Sequence, residues 1–208
     1  MKKNVIITIG RQFCSGGAEI GSKLSEALGI AYYDKELLVE AAKQSGLCEE
    51  MFEKADEQAI VSFSYAMPMA YSFWGGYLPC TNVMSQDDCF RYQSDTIRSI
   101  AEKESCVLMG RCADYVLREM PNCISFFIHN SKEVRIQRAL KNFDWSVEQA
   151  EEMIEKADKQ RASYYDFYTN KEWGKASSYH YCLDVSVLGV EGTVSMMVNM
   201  IQAILHNA

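Results

Sequence analysis

Five short apolar runs punctuate the chain: Asn4–Ile9, Ala31–Tyr33, Cys106–Met109, Cys123–Ile128 and Tyr181–Val185. Most lack polar alternation, the pattern of parallel strands covered on both faces. Between them the apolar positions recur at helical spacing. From Gly17 to Leu28, the residues Ile20, Leu24, Ala27 and Leu28 share one face, and Gly29 predicts the stop. Asn130 with Glu133 predicts a capping box before the helix that contains "EVRIQRAL". Ser146 with Gln149 predicts another, opening a long helix toward Tyr168. A last helix is expected from about Glu191 to Leu205, with Val194, Met197, Val198, Ile201 and Leu205 along one stripe. Alternation of strands and helices predicts a doubly wound α/β fold.

One stretch breaks the alternation. From Gln58 to Gln86 there is no charged residue, and "VSFSYAMPMAYSFWGGYLP" is dense in aromatics and methionines. Pro68, Gly75, Gly76, Pro79 and scattered serines interrupt it, so it is not read as a membrane span. Three readings stay open: a face buried against a second subunit, a cap over a small acceptor walled by Phe63, Tyr65, Tyr71, Phe73, Trp74 and Tyr77, or plain core. A homodimer through 58–86 is the first expectation.

Composition narrows the class. The 208 residues fit one domain with an ordinary core. A net charge of -7 argues against a general nucleic-acid binder, while leaving room for a local cationic pocket. Met1-Lys2-Lys3-Asn4 runs directly into the first strand, without the pattern of a signal peptide. The eight cysteines form no C-x-x-C pair and there are only three histidines, so zinc-type spacing is missing. Reduced thiols in a cytoplasmic protein, not bound to nucleic acid or membrane, are the expectation.

Candidate chemistry begins at "ITIGRQFCSGGAEIG". A β-branched run ends at Gly10, a loop with Gly16 and Gly17 follows, and a helix begins. Such a turn aims backbone amides and a helix dipole at one spot, which suits phosphate. The P-loop lysine has no counterpart: Gly17 and Ala18 stand where lysine and a hydroxyl residue are usual. Arg11 is the only cation inside the loop, and Ser15 the nearest hydroxyl. A phosphate is expected near the amides of Ser15 to Ala18. Three further groups follow in chain order. Arg111 comes just after the third strand, where ligands of doubly wound sheets bind. Arg135 and Arg138 share a helix face after the fourth strand, and Asp158 shares one with Arg161 before the fifth. Taken singly, each also fits a tight turn or a solvated charged face.

Taken in order, the loop and "GRCADYVLREMPNCISFFIHNSKEVRIQRAL", "DKQRASYYDFYTNKEWG" and "YHYCLDVSVLGVEGTV" resemble the cytidylate kinase-like branch of the P-loop nucleoside monophosphate kinases over nearly the whole chain. The resemblance implies a P-loop kinase fold: a five-stranded parallel sheet with helices on both faces, a helical acceptor cap and a lid. It implies a core of residues 1–45, 100–130 and 176–208, a cap over 46–99 and a lid over 131–175. It implies ATP and Mg²⁺ as cofactors, with no metal ligand assigned to the protein, and a nucleotide or similar small phosphorylated acceptor, cytidine monophosphate by default. Gly10, Arg11, Ser15, Gly16, Gly17 and Ala18 would hold ATP phosphates. Arg111 would grip the acceptor's phosphate, Asp34 would border its pocket and Asp158 would contact its sugar. Arg135 and Arg138 would lie at the base of the lid, and Arg161 would meet the acceptor's phosphate or the transferred group. Arg11, Arg135, Arg138 and Arg161 are the catalytic candidates. The family's aspartate after Gly-Arg is Cys112 here. The alternative on the same fold is a non-catalytic nucleotide-binding or regulatory protein.

Overall fold

The protein is described from a computed structural model, which covers residues 4–34 and 86–206. The uncharged stretch up to residue 85, with the six candidate aromatic wall residues, the expected dimer contact and most of the expected cap, lies outside the described residues. All five strands are parallel, in the order β2-β3-β1-β4-β5. They are β1 (Ile6–Arg11), β2 (Ala31–Tyr33), β3 (Cys106–Met109), β4 (Cys123–His129) and β5 (Tyr181–Asp184). The chain leaves β1 for the edge at β2, returns through β3 and passes β1 to reach β4. The order therefore reverses around β1, where the carboxyl ends of α/β sheets open a binding crevice.

Six helices are described: α1 (Gly17–Leu28), α2 (Gln86–Lys103), α3 (Ala113–Val116), α4 (Lys132–Asn142), α5 (Val147–Thr169) and α6 (Val185–His206). The strands' uninterrupted apolar runs are explained by two cores, one on each face. On one face Ile7, Ile9, Val107, Met109, Phe126 and Ile128 pack with Ile20 and Leu24 of α1 and with Val194, Met197 and Ile201 of α6. On the other, Ile6, Cys106, Leu108 and Cys123 pack with Ile97 and Ile100 of α2 and with Ala113 and Val116 of α3. The cysteines whose side chains are described are free thiols, three of them buried.

The predicted helix ends are mostly where the caps placed them. Gly29 closes α1 in a left-handed conformation, φ 64°. Ser146 and Gln149 form both halves of their capping box at α5. The box expected from Asn130 and Glu133 is corrected by one residue. Ser131 caps α4 by accepting from the Val134 amide, because Asn130 is drawn away to the glycine loop. In α6 the backbone is non-helical at Gly189, φ 65°, so the continuous part begins next to the predicted Glu191. Among the described residues α6 alone is long and apolar enough to cross a membrane by length and composition. Its inner stripe is part of the sheet core.

Candidate active site

The loop after β1 is braced from three sides. The Gln12 amide donates to the Ile128 carbonyl at 3.0 Å, and the Gln12 side chain accepts from the Asn130 amide at 3.2 Å. The Asn130 side chain donates to the Ser15 carbonyl at 3.3 Å. The third side is Phe13. Its amide donates to Asp158 at 2.8 Å and its carbonyl accepts from Nε of Arg135 at 2.8 Å, while Arg135 and Asp158 pair with each other. The Phe13 ring is buried among Ile136, Ala139, Ala150, Ile154 and Ala157 of α4 and α5. Phe143 and Trp145 stack beside it, their ring centres 4.2 Å apart.

Inside the loop, Cys14 and Gly16 take left-handed conformations, φ 57° and 93°. The Ser15 hydroxyl is buried, donates to the Gln12 carbonyl at 2.9 Å and accepts from the Gly17 amide at 3.3 Å. Two amides of the expected anion site are thus taken inside the loop: that of Ser15, which donates to the Gln12 carbonyl at 3.4 Å, and that of Gly17, capped by the Ser15 hydroxyl. Ala18 and Glu19 supply the next first-turn amides of α1, which have no partner inside the helix. Arg138 of α4 reaches this end: its guanidinium pairs with Glu19 at 2.8 Å and lies within 3.6 Å of where a side chain on Gly16 would start. That hydrogen bond, backed by Lys23, holds the Glu19 carboxyl below its ordinary range. Lys23 also pairs with Glu191, tying α1 to α6.

Arg11 does not turn into the loop. Its stem fills the space beside Gly17: a Cβ added there would lie 2.6 Å from the Arg11 Cβ and 3.0 Å from its Cγ. Its guanidinium crosses to the end of β3 and lies against Gly110, where any Cβ would collide with Nη1. Burial pulls this guanidinium below its ordinary range. The fields of Tyr32 and Asp34 push it back up, and that of Arg111 adds to the lowering. Arg161 donates to the Arg11 carbonyl at 3.0 Å, and its guanidinium lies over the Phe13 ring. Burial, with the nearby charge of Arg11, pulls Arg161 down to about 9.

The end of β3 is conformationally unusual. Gly110, Arg111 and Cys112 are left-handed in succession, φ 68°, 58° and 54°. For the two non-glycine residues this costs roughly 1–2 kcal/mol each. Backbone strain of this kind clusters where a chain must aim a functional group. The kink is fixed by the Gly110 amide on the Ile9 carbonyl at 3.0 Å and the Ala113 amide on the Gly110 carbonyl at 3.0 Å. It leaves Arg111 at the carboxyl edge and turns Cys112 into a buried cluster with Phe127, Tyr165 and Tyr179. Burial raises the Cys112 thiol far above its ordinary range. Behind it Tyr165 donates to Asp114 at 2.7 Å.

The structure therefore brings Arg11 within the fields of both Arg111 and Arg161 at the carboxyl edge, with Asp34 at its border. Arg138 stands apart, at the glycine end of the loop. Arg135 and Asp158, expected at the lid base and on an acceptor sugar, are both occupied with Phe13. Among the described residues no group of three or more His, Cys, Asp or Glu side chains forms a metal cage. Of the three residues that brace the loop, Gln12 and Phe13 were not singled out from sequence, and Asn130 was singled out only as a helix cap. The one signal for the first two was an aromatic residue in an otherwise small and polar loop.

Three comparisons bear on this geometry. The model of the cytidylate kinase-like family matches residues 6–187. No functionally curated protein matches the chain. Among solved structures, the crystal structure of an uncharacterized protein from Eubacterium ventriosum ATCC 27560 is 30% identical, covers 96% of this chain and 99% of its own, and has a TM-score of 0.72. A gluconokinase from Sinorhizobium meliloti 1021 is 12% identical over 100% of this chain and 97% of its own, TM-score 0.56. A shikimate kinase from Acinetobacter baumannii, in complex with shikimate, is 14% identical over 97% and 95%, TM-score 0.53. The last two share the fold, that of the P-loop kinases. Family and fold are those of nucleotide-dependent phosphoryl transfer.

Proposed function

The chain belongs to the cytidylate kinase-like family, and we propose that it transfers a phosphoryl group from ATP to a nucleoside monophosphate of the cytidylate class, or to a similar small phosphate-bearing acceptor. The observation that carries this reading is the placement of Arg11 within the fields of both Arg111 and Arg161 beside the glycine loop. Phosphoryl transfer needs little covalent help from protein. It needs reactants in line and positive charge around the transferring group. In this reading α1's first-turn amides and Arg138 face the donor phosphates, Arg111 holds the acceptor's phosphate, and Arg161 faces the transferred group. Arg135 and Asp158 keep the loop in shape through Phe13. Mg²⁺ fits as an ion carried on the nucleotide's phosphates and water, as is usual for this cation. Glu19 is the carboxylate at that end of the loop. We place the enzyme in the cytoplasm, where ATP and reduced thiols coexist.

Gly17 in the lysine position favours a second reading, a nucleotide-binding protein without turnover. Calorimetry with ATP and a coupled assay of ADP release across a nucleoside monophosphate panel separate the two. Turnover on one or more acceptors supports the kinase; binding with no turnover supports the second reading. In the active case Arg111→Ala should cost about 2–4 kcal/mol of transition-state stabilisation, the scale of losing one oxyanion donor. Unchanged kcat/KM in that variant would remove Arg111 from the site.

A further inference from the structure

The absent lysine has a structural counterpart. Resting on the phosphoryl-transfer reading, we propose that Arg11 delivers the phosphate-facing cation through the side-chain slot left empty by Gly17, so that positions 11 and 17 form one exchangeable unit. Three observations carry this. First, the path is occupied from its root: a Cβ on Gly17 would lie 2.6 Å from the Arg11 Cβ, with Ile128 Cβ at 3.4 Å close behind. Side-chain carbons do not approach that closely. The Arg11 Cβ cannot swing aside, because its backbone is paired with Ile128 in the sheet and its carbonyl is held by Arg161. Second, the far end of the path is also kept bare. Gly110 lies under the guanidinium, where a Cβ would meet Nη1 and displace it, and its φ of 68° itself favours glycine. Third, the head group lands among Asp34, Tyr32, Arg111 and Arg161, at the carboxyl edge rather than on the loop's outer surface.

The chemistry differs from that of a lysine. A guanidinium is a planar fork that can hold two phosphate oxygens at once, whereas an ammonium acts as a compact point charge. Between the glycine loop and Arg111, the Arg11 fork is placed to span donor and acceptor phosphates. Gly17 is then a requirement of the arginine arrangement rather than the scar of a lost residue.

The test is a cycle of four variants: Gly17→Ala, Arg11→Gly, Gly17→Lys, and Arg11→Gly with Gly17→Lys, glycine at 11 being the replacement that removes the opposing Cβ. Binding of inorganic pyrophosphate and of ATP is read by calorimetry, turnover by ADP release, and folding by thermal melting. Gly17→Ala and Arg11→Gly should each weaken ATP binding by at least ~10-fold, as loss of a bidentate charge-assisted contact implies. The double variant should recover most of that loss, and Gly17→Lys alone should be the worst of the four. If Gly17→Ala melts too low to assay, adding Arg11→Gly should restore folding by removing the clash. Unchanged affinity in Gly17→Ala, or a double variant no better than Arg11→Gly, overturns the exchange. Wild-type binding of ATP without turnover would defeat the kinase reading while the exchange is still read in affinity. Full turnover in Arg11→Gly would do the reverse, and a wild type that binds neither probe defeats both.

Discussion

Arg135 is 6% exposed, and a guanidinium so far from water survives only with partners. It has two, the Phe13 carbonyl and Asp158. Removing it leaves the Asp158 carboxylate buried without its counter-charge, so Arg135→Met should cost roughly 3–5 kcal/mol in urea unfolding. Asp158→Asn keeps an acceptor for the Phe13 amide while removing the charge. The double variant should therefore be more stable than Arg135→Met alone; simple addition of the two losses would show that the pair does not act as a unit. Helix spacing put Arg135 with Arg138 and Asp158 with Arg161 on shared faces, one element at a time, and only the family resemblance implied a place near the site. The sequence did not place Arg135 and Asp158 on Phe13, because those bonds join positions 122 and 145 residues apart. Nor did it signal the left-handed turn at Arg111 and Cys112, since neither residue type favours that conformation.

At the scale of elements, the five strands and the helix caps were legible because each is written in a local run. The exception is instructive. Asn130 is a good N-cap by type, yet the cap fell to Ser131 because a buried loop carbonyl needed a donor and Asn130 supplies it. The two neighbours therefore have separable duties. Ser131→Ala should cost about 1 kcal/mol of stability, the usual worth of an N-cap, with ATP affinity nearly unchanged. Asn130→Ala should also loosen the loop and weaken pyrophosphate binding several-fold, because a single neutral hydrogen bond is worth about 1 kcal/mol net. Melting curves and calorimetry on the pair decide it: equal affinity in both variants would mean that Asn130 does not shape the anion site.

For the molecule as a whole, a net charge of -7 coexists with a local cluster of arginines at the carboxyl edge among the described residues. Holding buried cations together costs stability that a bound anion offsets. Burial already pulls Arg161 down to about 9, a direction that penalises the charged form in the folded state. Its ordinary value lies higher, so the penalty is full below about 9 and eases only as the pH rises above it. At neutral pH, pyrophosphate at ~100 times its Kd should add about 2.7 kcal/mol to stability. For a chain of this length that is a rise in Tm of roughly 5–10 °C. Calorimetric scans against chloride at matched ionic strength test it, and an equal Tm in both would mean that the cationic edge takes up no phosphate anion. The fold was legible at this scale from strand order and spacing. The convergence of the arginines was not, since it depends on β1 lying between β3 and β4.

The contact between the Arg11 stem and Gly17 also has a historical meaning. On the exchange proposed above, a lineage with this arrangement would not reach a lysine loop by one substitution: a side chain at 17 meets Arg11, and losing Arg11 first removes one of the site's cations. Each single step should then pass through a poorer protein. The two arrangements would be separate peaks, and the glycine that looks like decay in the sequence would be what holds this chain on its own.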